Sequence, residues 1–273
     1  MMKDKTYVAI MITIYKGDSL NYFKAAIDSI LKQDYNFELI NIYLGVDGPL
    51  PEDLNNYILD NKELFYKIAR NKQNQGLALT LNRLIDILEE EEYIFRMDSD
   101  DICKLNRVST QVEFMQKHKE IDIAGSYIEI IDEDNNSNGQ IIKFPKLHDE
   151  CFRFFKKKDP VAHPSVVFRK TYFEKAGLYP NTRKNQDTLY WAEGFLNNCQ
   201  FANVDKVLLS FRMTNETLKR RGDVKSLYQL FVNRCKINSK LGYGLSSYIY
   251  ASMYFVFQLT PYSVRRIAYK YLR

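Results

Sequence analysis

The first hundred residues alternate between short, almost continuous apolar runs and longer segments whose apolar residues recur at helical spacing. The apolar runs are residues 7–14, 39–46, 65–69 and 93–97. Such runs are typical of strands that are buried on both faces of a sheet. Residues 20–33 and 77–90 carry an apolar stripe, and Pro51 can open a further helix. The alternation predicts βαβ units, and therefore an α/β fold with a mainly parallel sheet flanked by helices.

The pattern becomes mixed after residue 101. Helical patterns occupy residues 105–118, 151–158, 188–197 and 224–240. Strand patterns occupy residues 121–131, 140–144 and 207–213. The first two of these strands predict a hairpin about an Asn-rich turn. We therefore expect one domain over residues 1–215, followed by a helical C-terminal extension over residues 216–273.

Charge is distributed unevenly along the chain, whose formal net charge is +5. Residues 206–273 contain thirteen Lys or Arg and only two acids. Within them, residues 246–259 carry no charge, and they are too few to cross a bilayer, which needs roughly 20 apolar residues. An aromatic segment beside basic residues is typical of a helix that lies in a membrane interface. The alternatives are packing on the protein body, an oligomer contact, and a solvated basic face.

The four cysteines indicate neither a zinc site nor a disulfide framework. They lie far apart and form no CxxC pair. The first residues lead directly into an apolar run and lack the features of a secretory signal. We therefore expect a reducing cytoplasmic location, peripheral on the inner face of the cytoplasmic membrane.

Polar residues follow three of the predicted strands at their carboxyl ends, where ligands bind in parallel α/β sheets. These are residues 13–18, 47–48 and 98–101. In the last group Asp98, Asp100 and Asp101 repel one another unless a cation or hydrogen-bond donors offset their charge. Mg²⁺ and Mn²⁺ prefer such oxygen ligands and bridge them to substrate phosphates. The alternatives are a helix N-cap at Asp101 and plain turn chemistry at Asp47.

The segment Arg96-Met-Asp-Ser-Asp-Asp-Ile102 resembles the signature of family-two glycosyltransferases, which have the GT-A fold and mostly make bacterial surface polysaccharides. The resemblance runs from about residue 7 to about residue 215. It includes Arg107, Gln111 and residues 12–15, 29–33, 46–48, 74–78, 81–82, 163–165 and 211–212. The order and spacing of these pieces together make the resemblance specific.

The resemblance implies roles for residues that bind the nucleotide-sugar donor. Thr13 and Tyr15 would line the nucleoside pocket. Asp47 would contact the base, with Arg70 nearby. Asp98 would contact the ribose or the surroundings of the metal. Asp100 would coordinate Mn²⁺ or Mg²⁺ on the donor diphosphate, with Asp98 as a second candidate ligand.

The family also implies a general base. An acidic Glu-Asp pair usually opens the helix that carries it, and the matching site here is Gln186-Asp187, where Gln replaces the Glu. One carboxylate is enough to take the proton from an acceptor hydroxyl, so Asp187 is the candidate. The alternative is that Asp187 caps the helix that follows it.

Two further residues are candidates for contacts with the acceptor or a phosphate. His163 would meet the acceptor or complete the metal shell, although a lone His is often structural. Arg212, together with the basic run at residues 219–221, would reach a diphosphate, because Arg suits bidentate contacts. The alternative for several of these cations is solvated surface.

The sequence therefore predicts a metal-dependent, inverting glycosyltransferase. The resemblance favours a UDP-sugar donor and a glycan on a polyprenyl diphosphate as the acceptor, as in O-antigen or capsule synthesis. A sugar nucleotidyltransferase is the nearest rival, but residues 13–18 make a poor phosphate loop. A non-catalytic, membrane-associated binding module is the second. Nucleic acid is not an expected partner, because the basic tail carries no nucleic-acid motif. The sequence does not decide whether the chain forms a homo-oligomer.

Overall fold

A computed structural model describes residues 6–214 and 224–260 of the chain. Within these ranges the strands form one sheet. They are β1 (Val8–Ile14), β2 (Ile40–Val46), β3 (Lys67–Arg70), β4 (Tyr93–Met97), β5 (Ile102–Cys103), β6 (Ile123–Ile131), β7 (Ser137–Ile142), β8 (Val167–Arg169) and β9 (Phe201–Arg212).

Helices flank this sheet. They are α1 (Leu20–Leu31), α2 (Glu52–Asp60), α3 (Leu77–Asp86), α4 (Arg107–Lys117), α5 (His148–Phe155), α6 (Thr171–Ala176), α7 (Gln186–Leu196), α8 (Val224–Lys240) and α9 (Leu245–Leu259). Short 3₁₀ turns occur at Phe37–Leu39, Lys62–Leu64 and His163–Ser165.

The strand order is β3-β2-β1-β4-β8-β6-β9-β5, with β7 paired to β6. The first four strands of this order are parallel, as the alternating pattern predicted. The remainder is mixed: β8 joins β4 and β6 in antiparallel pairing, whereas β6 and β9 are parallel. The α/β fold with helices on both faces is confirmed.

The parallel strands bury both of their faces. On one face Ile10 and Ile12 of β1 contact a core that includes α1, α2 and α4. On the other face Ala9 and Met11 belong to a second core with α3, α5, α6 and α7. This two-sided burial explains why the strands read as continuous apolar runs rather than as alternating ones.

Several elements differ from their predicted bounds. Helix α3 ends at Asp86 rather than at residue 90, because the acids after it have other partners: Glu91 accepts hydrogen bonds at 2.6 Å from both Asn41 and Tyr43. Strand β9 begins at Phe201, six residues earlier than predicted, and its buried Asn203 binds the carbonyl of Pro145. The short elements β5, β8 and α6 were not predicted.

The C-terminal helices pack on each other and on the body. Helix α8 has the predicted bounds and contacts α7. Phe255 of α9 packs against Phe231 of α8, with ring centroids 5.4 Å apart. The proposed boundary at residues 215/216, the basic run 219–221 and the basic residues after Pro261 lie outside the described residues. Among the described helices, none has the length and apolar character to cross a membrane.

Candidate active site

A cavity of about 460 Å³ opens at the carboxyl ends of β1, β2 and β4. Its volume falls in the range of small-molecule sites. It is lined by Thr13, Ile14, Tyr15, Asp18, Asp47, Asn74, Gly76, Leu77, Thr80, Asp98, Ser99, Asp100, Arg183, Phe211 and Arg212. Six of the predicted site residues are among them: Thr13, Tyr15, Asp47, Asp98, Asp100 and Arg212.

One side of the cavity is strongly acidic. The loop after β4 brings carboxylate oxygens of Asp98, Asp100 and Asp101 within 4.8 Å of one another. Burial raises the pKa of Asp100 to about 6, and the charge of Asp98 adds to the shift. Burial also raises the pKa of Asp101 well above its ordinary value, again with help from the neighbouring carboxylates. The cluster therefore concentrates carboxylates whose ionised form a bound cation would stabilise.

The acidic cluster fits a hard divalent cation. Oδ1 of Asp101 accepts a hydrogen bond from the backbone N–H of Arg212 at 2.9 Å. Oδ2 of Asp101 is buried and has no hydrogen-bond partner among the described residues. An unsatisfied buried oxygen is costly, and a bound cation would satisfy it. Asp98 is half-buried and forms an ion pair with the buried Arg96.

A fourth carboxylate, Asp18, lies beside the cluster. It accepts a hydrogen bond from the backbone N–H of Tyr15 at 2.9 Å and another from the Ser99 side chain. Burial raises the pKa of Asp18 to about 7, and the charges of Asp100 and Asp98 add to the rise. The sequence placed Asp18 in the polar group at residues 13–18, at the carboxyl end of the first strand, but did not single it out as a site residue.

Asp47 fixes the loop that precedes α3. Its carboxylate accepts hydrogen bonds from the side-chain amides of Asn71 and Asn74, at 2.9 and 2.8 Å. It also accepts hydrogen bonds from the backbone N–H groups of Gln75 and Gly76, at 2.7 and 2.9 Å. These contacts bring Asn74 and Gly76 into the cavity wall. The role of Asp47 is therefore more than turn formation, and its predicted contact with a base stays a prediction.

Arg212 joins the acidic loop to the β6–β7 hairpin. Its Nε donates to the carbonyl of Asp100 at 2.8 Å, and its Nη1 donates to the carbonyl of Asp132 at 2.6 Å. Its Nη2 donates to the side chain of Asn135, and its guanidinium lies 4.0 Å from the ring centroid of Tyr22. Arg212 is thus a buried scaffold at the cavity wall. Its predicted phosphate contact stays a prediction.

Arg70, which the sequence suggested for the site, lies outside the cavity lining, whereas Arg183 lies in it. Arg70 lies at the exposed end of β3, outside the lining of the cavity, where its Nη1 donates to Asn55 at 3.2 Å. Arg183 lines the cavity and donates to the side-chain and backbone oxygens of Asn74, at 3.0 and 3.2 Å. Arg183 was missed because an Arg in a polar loop carries no local signal of its long-range contacts.

His163 lies in the aromatic core rather than in the cavity lining. Its Nε2 is 2.9 Å from the hydroxyl of Tyr179, and its ring packs edge-on against Trp191. Burial lowers the pKa of His163 well below its ordinary value, and the charge of Arg96 lowers it further. A neutral, enclosed imidazole supports the structural alternative over contact with an acceptor or a metal shell.

Asp187 occupies the first turn of α7 but is not its N-cap, a position that belongs to Asn185. It is half-buried and lies outside the cavity lining. Oδ1 of Asp187 accepts a hydrogen bond from the backbone N–H of Thr188 at 2.8 Å. Burial raises its pKa to about 6, and the charge of Asp159 adds to the rise. Arg96, the partner of Asp98, acts on Asp187 in the opposite direction.

Two of the relatives that comparison with known proteins identifies are glycosyltransferases. A curated β-1,3-galactosyltransferase of Escherichia coli, named as UDP-Gal:alpha-D-GlcNAc-diphosphoundecaprenol beta-1,3-galactosyltransferase, is 29% identical over 227 residues, covering 82% of this chain and 81% of its own. The amylovoran biosynthesis glycosyltransferase AmsE of Erwinia amylovora is 26% identical over 270 residues, covering 96% of this chain and 97% of its own.

The fold is shared with solved structures of S. aureus TarS. A crystal structure of TarS residues 1–349 superposes with a TM-score of 0.64 at 14% identity, covering 89% of this chain and 71% of that one. The same protein in complex with UDP gives a TM-score of 0.63 over 86% of this chain and 70% of that one. The model of the family described as Glycosyl transferase family 2 matches residues 9–177, more than half of the chain. The chain therefore belongs to glycosyltransferase family 2.

Proposed function

We propose that this glycosyltransferase takes its sugar from a UDP-sugar and transfers it, with inversion, to a hydroxyl of a lipid-linked glycan. The observation that carries the proposal is the cavity of about 460 Å³, which has an acidic cluster on one side and a polar loop on the other. Two TarS structures with this fold are complexes with UDP and with UDP-GlcNAc, which supports a uridine donor.

Residues of the lining supply the donor contacts in this proposal. Thr13 and Tyr15 would flank the nucleoside, and Asp47 would lie at its base. Arg183 is an exposed cation of the lining and a candidate for the donor phosphates, because guanidinium groups bind phosphate oxygens well. Asp98 would lie near the ribose.

Asp100, with Asp98 and Asp101, would hold Mg²⁺ or Mn²⁺. The clustered carboxylates and the unpaired Oδ2 of Asp101 support this assignment. When bound, the cation would neutralise charge on the diphosphate. Arg212 contributes by fixing the backbone of the acidic loop.

Asp187 is the proposed general base. The acceptor oxygen would attack the anomeric carbon and pass its proton to Asp187, while the bond from the sugar to the diphosphate breaks and its electron pair leaves with UDP. In-line attack inverts the anomeric centre. A pKa of about 6 leaves the Asp187 carboxylate ionised at neutral pH and still basic enough to accept a proton.

The acceptor is proposed to be a sugar on a polyprenyl diphosphate. The E. coli relative is named for a GlcNAc-diphosphoundecaprenol acceptor, and this chain covers 81% of it. The surface of α9 supports a lipid-facing location. Its large exposed apolar residues include Leu245, Ile249, Met253 and Val256, and the helix contains no charged residue. The Nζ of Lys157 lies 4.5 Å from the ring centroid of Tyr250, which places a cation beside this surface.

We therefore propose peripheral binding of α9 to the inner face of the cytoplasmic membrane. Apolar and aromatic side chains beside lysines favour an interface that contains anionic lipid. The proposal also divides the chain into a catalytic domain over residues 1–215 and an extension over residues 216–273. Binding of the protein to vesicles of anionic lipid tests the membrane contact.

Incubation of the full chain with a panel of UDP-sugars, Mn²⁺ and GlcNAc-diphosphoundecaprenol tests the reaction itself. We expect one donor to give metal-dependent release of UDP together with a longer lipid-linked glycan. The Asp187→Asn variant should lower turnover by roughly 100-fold or more while still binding the donor. Release of pyrophosphate would instead indicate a nucleotidyltransferase, and full activity of Asp187→Asn would disprove the base assignment.

A further inference from the structure

An arginine of the C-terminal extension is linked to Asp187 through two intermediate residues. Arg234 of α8 is buried, with its side chain 11% exposed. Its Nη2 donates to Oδ1 of Asp159 at 2.6 Å, and its Nη1 donates to the carbonyl of Phe155 at 2.9 Å. Its guanidinium also lies 4.9 Å from the ring centroid of Phe155. These contacts join α8 to the end of α5 and to the segment that follows it.

Asp159 continues this connection into α7. The hydroxyl of Thr188 donates to the Asp159 carboxylate, with oxygen distances of 2.8 and 3.1 Å. The backbone N–H of the same Thr188 donates to Asp187 at 2.8 Å. An ion pair and two hydrogen bonds therefore link Arg234 to Asp187 through Asp159 and Thr188.

We propose that Arg234 is a positioning residue for the transfer reaction: through Asp159 and Thr188 it fixes the first turn of α7, and its charge offsets that of Asp159 beside Asp187. This inference rests on the proposed role of Asp187 as the base. It makes the C-terminal extension part of the catalytic apparatus, in addition to any membrane contact.

The electrostatics around Asp187 agree with this geometry. The charged and titratable groups that act on it come from four segments: Asp159 after α5, Arg96 of β4, Arg234 of α8, and the phenol of Tyr179 before α7. Asp159 raises the pKa of Asp187, whereas Arg96 and Arg234 lower it. Removing the charge of Arg234 leaves Arg96 alone of these two cations to oppose Asp159, so the pKa of Asp187 should rise.

The pH profile of kcat tests the proposal, measured as UDP release with the best donor of the panel. A base must be ionised, so turnover rises with pH through its pKa. In Arg234→Gln we expect this acidic limb to move to higher pH by roughly half a unit or more, with a larger loss at pH 6 than at pH 8. Arg234→Lys keeps the positive charge, so the acidic limb of its pH profile should lie at the wild-type pH.

The double variant Asp159→Asn/Arg234→Gln distinguishes an effect of charge on the pH profile from an effect of lost packing. It removes both members of the ion pair, so the acidic limb should return toward its wild-type position even if the melting temperature stays low. The proposal would be overturned if the acidic limb of the Arg234→Gln profile stayed at the wild-type pH. It would also be overturned if the limb did not move back toward the wild-type pH in the double variant. A fully active Asp187→Asn variant would show instead that the proposed base is wrong.

Discussion

Asp101 shows at the scale of single residues how burial changes what a carboxylate does. Its sequence context allowed a helix N-cap, but α4 begins only at Arg107, and Asp101 accepts its hydrogen bond from β9. The result is a carboxylate with one oxygen bound to a distant strand and the other buried without a hydrogen-bond partner among the described residues, in a cluster with Asp98 and Asp100. That arrangement favours cation binding over capping.

Replacement of Asp100 by Ala should remove the response to metal. We expect transfer to fall roughly 100-fold or more, because charge on the departing diphosphate is no longer offset. In the wild-type protein a saturating concentration of Mn²⁺ should raise the melting temperature by about 5 °C or more. Calorimetry of both proteins, with Mn²⁺ and with EDTA, measures this difference.

The Asp134→Ala variant is a matched control, because Asp134 is an exposed acid of the β6–β7 turn. It should keep the wild-type response to Mn²⁺. An unchanged response in Asp100→Ala would refute the metal assignment.

A residue of the site could be predicted only where the sequence immediately around it indicates its place in the fold. Asp98 and Asp100 follow an apolar strand, and Thr13 and Tyr15 lie at the carboxyl end of a neighbouring one, so the sheet brings them together. Arg183 reaches the cavity through a contact with a segment 109 residues away, and no pattern near it in the sequence indicates that contact.

At the scale of elements, the close approach of the loop after β2 to the loop before α3 shapes one wall of the cavity. Gly48 has a φ of +92°, and a Cβ there would lie 2.7 Å from the backbone nitrogen of Asn74. Only a residue without a Cβ allows both the backbone conformation and the approach. Asp47 can therefore reach its donors in that loop.

The Gly48→Ala variant should be destabilised and should bind UDP more weakly. We expect a loss of about 2–3 kcal/mol from backbone strain plus the forced movement of the loop. Urea unfolding and calorimetric titration with UDP measure the two effects.

Gly139→Ala provides the comparison. The φ of Gly139 is +76°, but nothing lies within 4 Å of an added Cβ. The Ala variant would therefore have the backbone strain but no steric clash. It should lose only about 1–2 kcal/mol and keep its affinity for UDP. Equal losses in the two variants would mean that the approach to Asn74 does not matter.

Elements whose apolar residues recur at a regular spacing were predicted well. Elements that exist because they pair with strands distant in the sequence were not. Strand β4 and helix α8 have the predicted bounds, because their apolar residues recur regularly. Strand β8 has three residues and exists because it pairs with β4 and β6. The early start of β9 depends on pairing with β6, which its own sequence does not indicate.

At the scale of the whole molecule, α9 presents an apolar surface without a charge, supported from behind by α8. Met253 and Val256 are both 63% exposed. Replacing both by Glu should weaken binding to phosphatidylglycerol vesicles by tenfold or more, because each apolar side chain contributes roughly 1.5–3 kcal/mol on burial. Co-sedimentation with vesicles measures this change.

The Leu59→Glu/Leu105→Glu variant introduces the same charge at exposed apolar residues outside α9, which are 55% and 63% exposed. It should bind vesicles as the wild-type protein does. Equal loss in both double variants would indicate a general effect of charge, and no loss in either would exclude α9 as the lipid contact.

The late position of β9 in the chain has a consequence for biosynthesis. Arg212, which fixes the loop of Asp100, lies 112 residues after it. A nascent chain therefore exposes the acidic loop long before its anchoring strand is made, and such distant pairing is slow to form. During refolding, Tb³⁺ luminescence from the acidic loop should appear no earlier than the final change in Trp191 fluorescence. An earlier terbium signal would show that the loop captures cations without β9.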